Sequence, residues 1–383
     1  MAKLSISLLL VWSFLLFLFL FLRVSKAHEL APALYVFGDS NIDAGNNNPF
    51  NTFAKANYPP YGVDFPGGIS GRPTNGYNIA DFFVIGAFPA LRFDDGKIVF
   101  TACAEWLGLN VPPAFRLVNS SATKSLQQGF NFGSSSAGIL PDTATKIFKC
   151  VMSLGEQVDM FQKTIEEYLP SQFQSHDRLS EHVSKSIYLV VMGVNDISLN
   201  FLRKENSSNP LDYLRYFDLL VEKLENRLKD LYELGARKFV VFEIEAFGCL
   251  PFYVNKFKPA NSKCVDHLNA MVLIYNAKLT LKLQELQFKL EGSNFVLGKY
   301  YDYTLSLVEN PSLAGLKDAS NPCCAVLPFG VCDHKKAPCR DRNSHAFFDA
   351  HHPTEAAYKV FAERCFNGLG SCIPINVKQL AML

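Results

Sequence analysis

The sequence predicts an α/β protein in which helices cover both faces of a parallel sheet. Short runs of apolar, β-branched and aromatic residues alternate with longer stretches whose apolar residues recur every three or four positions. Strands that are apolar throughout are buried on both faces, which is typical of parallel sheets packed between helices. In sheets of this kind the functional site lies beyond the carboxyl ends of the strands.

Each element follows from one of these two patterns. Strands are predicted over residues 33–37, 186–192, 237–244 and 294–297, each bounded by turn residues. Amphipathic helices are predicted over residues 211–234 and 265–291, which end at or beside Gly235 and Gly292. Because 49% of the chain is apolar and no linker or repeat interrupts it, we expect residues 28–383 to form one domain.

Residues 1–27 have the order of a secretory signal peptide. Lys3 precedes an uncharged apolar run of about 15 residues, and Ala27 closes the segment. A membrane-spanning helix needs roughly 20 apolar residues. We therefore expect cleavage after Ala27 and export of a soluble chain that keeps no stable membrane anchor, with an uncleaved anchor as the alternative.

Sequons and cysteines also favour export. Asn119 and Asn206 each begin an Asn-x-Ser sequon, the acceptor for N-glycosylation in secreted proteins. All ten cysteines follow the signal segment, and they lack the paired spacing of a zinc site. Disulfides are thus the favoured use, with a connectivity that the sequence leaves open. A net charge of +1 without a basic cluster gives no reason to expect a nucleic-acid partner.

Three groups that a serine hydrolase needs occur near the two ends of the chain. Ser40 follows the first predicted strand in a Gly-Asp-Ser-Asn motif, and Asp349 and His352 lie in an Asp-Ala-His-His-Pro motif. A serine hydroxyl becomes a useful nucleophile when a histidine takes its proton and a carboxylate orients that histidine. The sequence contains no Gly-x-Ser-x-Gly, which excludes the nucleophile elbow of α/β-hydrolases.

Asn195 is a further candidate, because it follows the second predicted strand in the segment Gly193-Val194-Asn195-Asp196. Its side-chain amide could donate to a developing oxyanion, alongside the backbone N–H of Ser40. The alternative is that Asn195 and Asp196 only cap the next segment. Their position beyond a strand, in a chain that carries the other two motifs, favours the oxyanion role.

Taken together, these motifs resemble those of the plant GDSL esterase/lipase family of SGNH hydrolases, over essentially all of the mature chain. The matching pieces, in order, are Val36-Phe37-Gly38-Asp39-Ser40 with Asp43 and Gly45-Asn46-Asn47, Gly71-Arg72 with Asn75-Gly76, Asn131-Phe132 with Ala137-Gly138-Ile139, Gly193 with Asn195-Asp196, and Asp349 with His352-Pro353-Thr354-Glu355-Ala356.

The resemblance implies a three-layer α/β/α fold of the flavodoxin-like kind and a triad of Ser40, His352 and Asp349. It implies an oxyanion hole made by the backbone N–H of Ser40, a backbone N–H in the segment after Asn131, which falls on Ser136, and the Asn195 side chain. It also implies an enzyme that needs no metal or organic cofactor. We expect a monomer in the cell wall or apoplast that acts on a small-molecule or lipid ester.

Three positions depart from the family pattern. Asn41 stands where the family usually has leucine, a change that need not touch the chemistry. Ser135 and Ser136 replace a pair of glycines, so a donor that requires φ > 0 would hold that conformation at some strain. His351 replaces a bulky apolar residue, and we interpret it as pocket-lining, with a role as base for the alternative.

Residues 84–103 look like an insertion. In the family, segments similar to 75–83 and 104–109 follow each other directly and form one amphipathic helix, whereas here residues 84–103 separate them. Pro89, Gly96 and two adjacent aspartates would break such a helix. The hypothesis is that this segment is a retained intron in the gene model, and the alternative is a genuine surface insertion.

The function predicted from the sequence is that of a secreted esterase or lipase that hydrolyses acyl esters through an acyl-enzyme. Two alternatives use the same features. An acyltransferase would pass the acyl group to an alcohol instead of water, and a catalytically silent lipid- or glycan-binding protein would keep the fold without the chemistry.

Overall fold

A computed structural model describes residues 29–85, 92–94, 97–99, 107, 109–118, 126–203, 210–260 and 263–383. Its strands, in chain order, are β1 (Leu34–Gly38), β2 (Arg92–Asp94), β3 (Lys97–Val99), β4 (Ile187–Val191), β5 (Lys238–Phe242), β6 (Asn294–Gly298), β7 (Asp318–Pro322), β8 (His345–Phe347) and β9 (Cys372–Ile373).

The central sheet has the order β1-β4-β5-β6-β9. Its first four strands are parallel, with Val36 opposite Leu189, Leu189 opposite Val240 and Val240 opposite Val296. The strands β1, β4 and β5 are buried along their whole length. The prediction of a buried parallel sheet is therefore confirmed, and each of the four predicted strands is present.

Helices flank the sheet on both faces. They are α1 (Ile79–Val84), α2 (Thr145–Phe148), α3 (Leu154–Lys163), α4 (His176–Lys185), α5 (Pro210–Glu233), α6 (Pro251–Phe257), α7 (Asp266–Lys289), α8 (Tyr300–Glu309), α9 (Glu355–Asn367) and α10 (Val377–Met382). α5 packs against α3 and α7 in one layer, and α9 packs against α1 and α10 in another. With the sheet between them, these layers form the three-layer α/β/α fold that the resemblance implies.

The two long helices show why the periodicity predicted them. In α7 the buried apolar residues Leu268, Val272, Tyr275, Leu279, Leu283 and Leu286 follow one another at intervals of three or four. α5 buries Phe217, Leu220, Leu224, Leu228 and Leu231 in the same way. This spacing places one continuous stripe of each helix against the core, and the burial of that stripe fixes the helix on the sheet.

Eight cysteines form four disulfides, which confirms the prediction of disulfides over zinc. The pairs are Cys249–Cys264, Cys323–Cys339, Cys324–Cys332 and Cys365–Cys372. Cys150 is exposed and has no disulfide partner within the described part of the chain. Three of the four disulfides cross-link the C-terminal third of the chain, which consists largely of short strands and loops.

Several sequence predictions lie outside the described residues. These are the signal peptide over residues 1–27, the sequons at Asn119 and Asn206, and most of the segment 84–103. Of that segment, β2 and β3 are described and form a small antiparallel pair. Among the helices in the described ranges, none is both long enough and apolar enough to cross a membrane.

Candidate active site

Ser40, His352 and Asp349 meet at the carboxyl edge of the sheet. Ser40 lies two residues beyond the end of β1, and His352 lies in the loop between β8 and α9. The Ser40 Oγ is 2.8 Å from His352 Nε2, and His352 Nδ1 is 2.8 Å from Asp349 Oδ2. With Nδ1–H donating to Asp349, the His352 Nε2 accepts the hydrogen bond of the Ser40 hydroxyl.

The Asp349 carboxylate is fully buried and satisfied by several donors. Its Oδ1 accepts hydrogen bonds from the backbone N–H groups of His351 and His352, at 2.8 and 2.7 Å. Its Oδ2 accepts from the Tyr61 hydroxyl at 2.6 Å in addition to His352 Nδ1. The tight turn from Asp349 to His352 thus fixes the carboxylate relative to the imidazole through the backbone as well as through the side chains.

The charges at this site favour a basic histidine. Burial by itself lowers the pKa of His352, but the Asp349 carboxylate, together with its hydrogen bond, outweighs that effect and the pKa lies above its ordinary value. For Asp349, burial acts to raise the pKa, and the neighbouring His352 reverses this, so the pKa lies below its usual range. Asp349 therefore stays ionised while His352 is able to accept a proton.

His351 faces a different environment. Its Nε2 is 2.9 Å from the Phe329 carbonyl oxygen, and its ring lies 4.6 Å from that of Phe252, centroid to centroid. Burial lowers the pKa of His351, which keeps the ring neutral. The ring thus bonds to the Phe329 carbonyl oxygen, whereas the His352 ring bonds to Ser40, and the interpretation of His351 as a pocket-lining residue stays a prediction.

The loop that carries Ser40 is held to the loop that follows Phe132. Asp43 accepts hydrogen bonds from the backbone N–H and the hydroxyl of Ser135, at 2.9 and 2.7 Å. The Ser134 hydroxyl donates to Asn47 and accepts from the Met152 N–H. Both serine hydroxyls are buried and used for structure, so neither is placed to compete with Ser40 as a nucleophile.

Ser136 and Asn195 border the same region. Ser136 has a φ of +65°, the left-handed conformation that the glycine of the family pattern would adopt without strain. The Asn195 amide donates to the Ala137 carbonyl oxygen at 3.0 Å, which uses one of its two N–H donors. Asn195 is buried, and its side chain makes no capping hydrogen bond to the helical turn that begins at Asp196.

Asp196 explains why Asn195 lies so close to the Ser136 loop. Its carboxylate accepts hydrogen bonds from the backbone N–H groups of Ile139 and Leu140, at 2.8 and 3.0 Å, and from the Thr143 hydroxyl at 2.6 Å. These buried hydrogen bonds join the segment after β4 to the loop that precedes α2, and they hold the neighbouring Asn195 close to that loop.

The motif Gly71-Arg72 with Asn75-Gly76 supports the histidine loop. Arg72 forms a buried bidentate ion pair with Asp81 at 2.7 and 2.9 Å. The Asn75 side chain accepts from the Glu355 N–H at 2.9 Å, and the Thr74 hydroxyl donates to the Pro353 carbonyl at the same distance. The segment before α1 therefore holds the residues that directly follow His352.

Sequence reasoning missed a buried polar cluster beside the nucleophile. Asn41 is buried, donates to Asp39 Oδ1 from its backbone N–H at 3.0 Å, and accepts from the Tyr358 hydroxyl at 2.9 Å. Burial raises the pKa of Asp39 to about 8, and the neighbouring Glu245 carboxyl group adds to the rise. Asn41 therefore belongs to a buried polar cluster beside Ser40, and the expectation that its side chain need not touch the chemistry stays a prediction.

One group of residues has the spacing of a metal site. Cys323, Cys339 and His345 place their ligand atoms within 4.8 Å of one another. The two sulfur atoms are, however, bonded to each other as a disulfide. A disulfide sulfur is not the thiolate that binds zinc, so this group does not fit a metal ion.

The parallel sheet, with a hydrogen-bonded serine, histidine and aspartate at its carboxyl edge, is the architecture of a protein of the hydrolase class. The model of the GDSL-like lipase/acylhydrolase family matches residues 34–365, and the chain belongs to this family. GDSL esterase/lipase 7 of Arabidopsis thaliana is 36% identical to it, over 94% of each chain. Two further Arabidopsis thaliana GDSL esterase/lipases are each 33% identical, over 94% and 92% of this chain and 90% and 86% of their own length.

These comparisons confirm the resemblance on which the sequence analysis rested. The protein is a carboxylic ester hydrolase of the esterase/lipase type, and esters are its class of substrate.

Proposed function

We propose that this chain is a secreted serine esterase that hydrolyses acyl or lipid-like esters through a covalent acyl-enzyme on Ser40. The observation that carries the proposal is the continuous hydrogen-bonded path from Ser40 Oγ through His352 to Asp349, with both steps at 2.8 Å. Export is supported by the four disulfides, which persist in oxidising compartments.

In the acylation step, Ser40 Oγ attacks the ester carbonyl carbon while His352 Nε2 accepts the hydroxyl proton. Asp349 stabilises the imidazolium that forms. The carbonyl oxygen becomes an oxyanion, for which the backbone N–H groups of Ser40 and Ser136 and the Asn195 amide are the proposed donors. Collapse of this intermediate breaks the bond to the leaving alcohol, which takes the proton from His352.

Deacylation repeats the sequence with water. His352 removes a proton from the water molecule as it attacks the acyl carbon, and then returns that proton to Ser40 Oγ. The net reaction converts ester and water into acid and alcohol, and every group of the protein returns to its starting state. An acyltransferase would differ only in the acceptor of this second step.

The experiment is labelling with a fluorophosphonate probe, followed by peptide mapping and an assay with esters of graded acyl length. We expect the probe to label Ser40, and Ser40→Ala to lower ester hydrolysis by several orders of magnitude, because the substitution removes the hydroxyl on which the acyl-enzyme is proposed to form. Product analysis with and without an added alcohol distinguishes hydrolysis from transfer.

The chain offers a matched control for this test. Ser180 Oγ lies 3.4 Å from His176 Nδ1 on the exposed face of α4, so it pairs a serine with a histidine away from the sheet edge. Ser180→Ala should leave labelling and turnover unchanged. Unchanged turnover in Ser40→Ala, or a label on a different serine, would move the nucleophile and overturn the proposal.

A further inference from the structure

Tyr61 connects a distant loop to the candidate triad. Its side chain is buried, and its hydroxyl donates to Asp349 Oδ2 at 2.6 Å across a separation of 288 residues. The same oxygen lies 2.8 Å from His352 Nδ1. Tyr61 and His352 therefore share one oxygen of the carboxylate. The hydrogen bond from Tyr61 draws charge on that oxygen toward itself and so changes its interaction with the histidine.

The orientation of the Tyr61 hydroxyl is set by a second contact. The backbone N–H of Cys332 donates to the Tyr61 oxygen at 3.1 Å. With that lone pair occupied, the hydroxyl hydrogen is directed at Asp349. Burial and the nearby Asp349 carboxylate hold the pKa of Tyr61 well above its ordinary value, so the phenol stays protonated and remains a donor.

A disulfide-bonded loop holds this donor in place. Cys332 is joined to Cys324 in a loop with a separation of only eight residues. Tyr61 packs in one small buried cluster with both of these cysteines and with Phe348, whose ring centroid is 5.7 Å from that of Tyr61. The position of the Cys332 N–H relative to Tyr61 is therefore fixed by covalent and packing constraints that lie outside the triad.

We propose that Tyr61 is a positioning residue for the reaction: its hydroxyl fixes the Asp349 carboxylate and weakens the electrostatic effect of that carboxylate on the pKa of His352. The loop closed by Cys324–Cys332 keeps the Tyr61 hydroxyl in position. This inference rests on the proposed function, since it assigns Tyr61 a role through the triad. Tyr61 itself touches no reacting atom.

The test is Tyr61→Phe, which removes the hydroxyl and keeps the ring. Without this donor the Asp349 carboxylate interacts more strongly with His352, so the pKa of His352 rises. Since His352 must be unprotonated to act as the base, the acid limb of the kcat/KM profile moves to higher pH. The carboxylate also loses one of its fixed contacts, and we expect kcat at the pH optimum to fall about fivefold to twentyfold with little change in KM.

The control is Tyr188→Phe, which removes another buried tyrosine hydroxyl, bonded at 2.9 Å to the Val183 carbonyl near the opposite end of the sheet. It should change thermal stability without moving the pH profile. The other titratable groups that face the histidine and its carboxylate stay the same in both variants; they are Asp39, Glu245, His351, Tyr58 and Tyr358.

Removal of the Cys324–Cys332 disulfide provides an independent test of the role of Tyr61. Cys324→Ala with Cys332→Ala should shift the acid limb in the same direction as Tyr61→Phe, and should add no further shift when Tyr61 is already Phe, because both changes act through one hydroxyl. Additive shifts, or a Tyr61→Phe profile that matches that of Tyr188→Phe, would overturn the proposal. If Ser40→Ala is inactive while Tyr61→Phe behaves like its control, this inference fails and the proposed function stands.

Discussion

At the scale of single residues, the adjacent histidines show how geometry separates two side chains that share one motif. Only the His352 ring bridges Ser40 and Asp349, whereas the His351 ring bonds to the Phe329 carbonyl. Both contribute a backbone N–H to Asp349. The spacing Asp-x-x-His therefore distinguishes the two histidines, because a turn of that length brings the side chain of the fourth residue back to that of the first.

We predict that His352→Ala lowers kcat/KM by roughly three orders of magnitude or more, since it removes the proposed base and the imidazole that Asp349 would orient. His351→Phe should keep most of the activity, because phenylalanine preserves the packing on Phe252 and loses only one hydrogen bond. Steady-state kinetics on the two variants, with circular dichroism as a check of folding, measures the difference. A larger loss in His351→Phe would show that the register of the motif has been misassigned.

The residues that the sequence did not reveal share one property. Tyr61 lies beside Asp349 and Glu245 beside Asp39, but both are far in sequence from the motifs that contain Ser40 and His352. Neither residue lies in a local sequence pattern that indicates a role. Asn41 is adjacent to Ser40, but its importance depends on the Tyr358 hydroxyl, which lies 317 residues away. The spacing within a motif predicts which side chains meet within one turn of the chain. It cannot predict buried polar partners that come from distant elements, because folding alone brings those together.

At the scale of elements, periodicity located the parallel strands to within one or two residues and both long helices. It did not predict β9, which is two residues long and antiparallel to β6. A strand of that length has no periodicity to detect, and the Cys365–Cys372 disulfide at its start fixes it to α9. Short elements held by covalent bonds are beyond pattern recognition for this physical reason.

The loop between Phe132 and Ile139 permits a prediction about strain. Ser136 occupies the left-handed region, which costs a residue with a Cβ about 1–2 kcal/mol, and part of the gain on changing it to glycine is lost to the entropy of the unfolded chain. We expect Ser136→Gly to raise the free energy of unfolding by about 0.5–1 kcal/mol. The rate kcat should rise or stay level, because the backbone N–H is kept.

Ala144→Gly is the matched control, since Ala144 also has a positive φ, of +61°, at the residue that precedes α2. It should give a similar gain in denaturant midpoint with unchanged kcat. A large fall in the activity of Ser136→Gly alone would mean that the Ser136 hydroxyl takes part in catalysis, which would correct the view of this loop as a backbone donor.

At the scale of the whole molecule, the site depends on the order of the strands. Ser40 and His352 are 312 residues apart, yet both lie at the carboxyl edge, because β1 ends there and the C-terminal loops return to it. The hydrogen bonds of the Asp196 carboxylate hold the segment after β4 at the same place. The groups of the candidate site thus come from three separate parts of the chain, and the sheet brings them together at one edge.

The contact between Phe83 and Leu107 bears on the segment 84–103. The Leu107 N–H donates to the Phe83 carbonyl at 3.2 Å, although 24 positions separate them (107 − 83). If the 20 residues from 84 to 103 were removed, the separation would be 24 − 20 = 4, the spacing of an α-helical hydrogen bond. The Leu107 N–H and the Phe83 carbonyl thus already form the hydrogen bond that one continuing helix would form between them.

From this we predict that the protein made in the native tissue contains a peptide in which Phe83 is joined directly to Ala104. Mass spectrometry of the purified protein, digested with two proteases of different specificity, would detect that junction, and the expected mass of the mature chain would be lower by the mass of the 20 residues. The recombinant chain with residues 84–103 deleted is the companion sample. It should fold with unchanged or higher thermal stability, since Ala104 would replace Val84 at the end of α1 and the bond from Leu107 to Phe83 would become part of the helix. Peptides from within the segment, recovered from native material, would instead establish it as a genuine insertion beside α1.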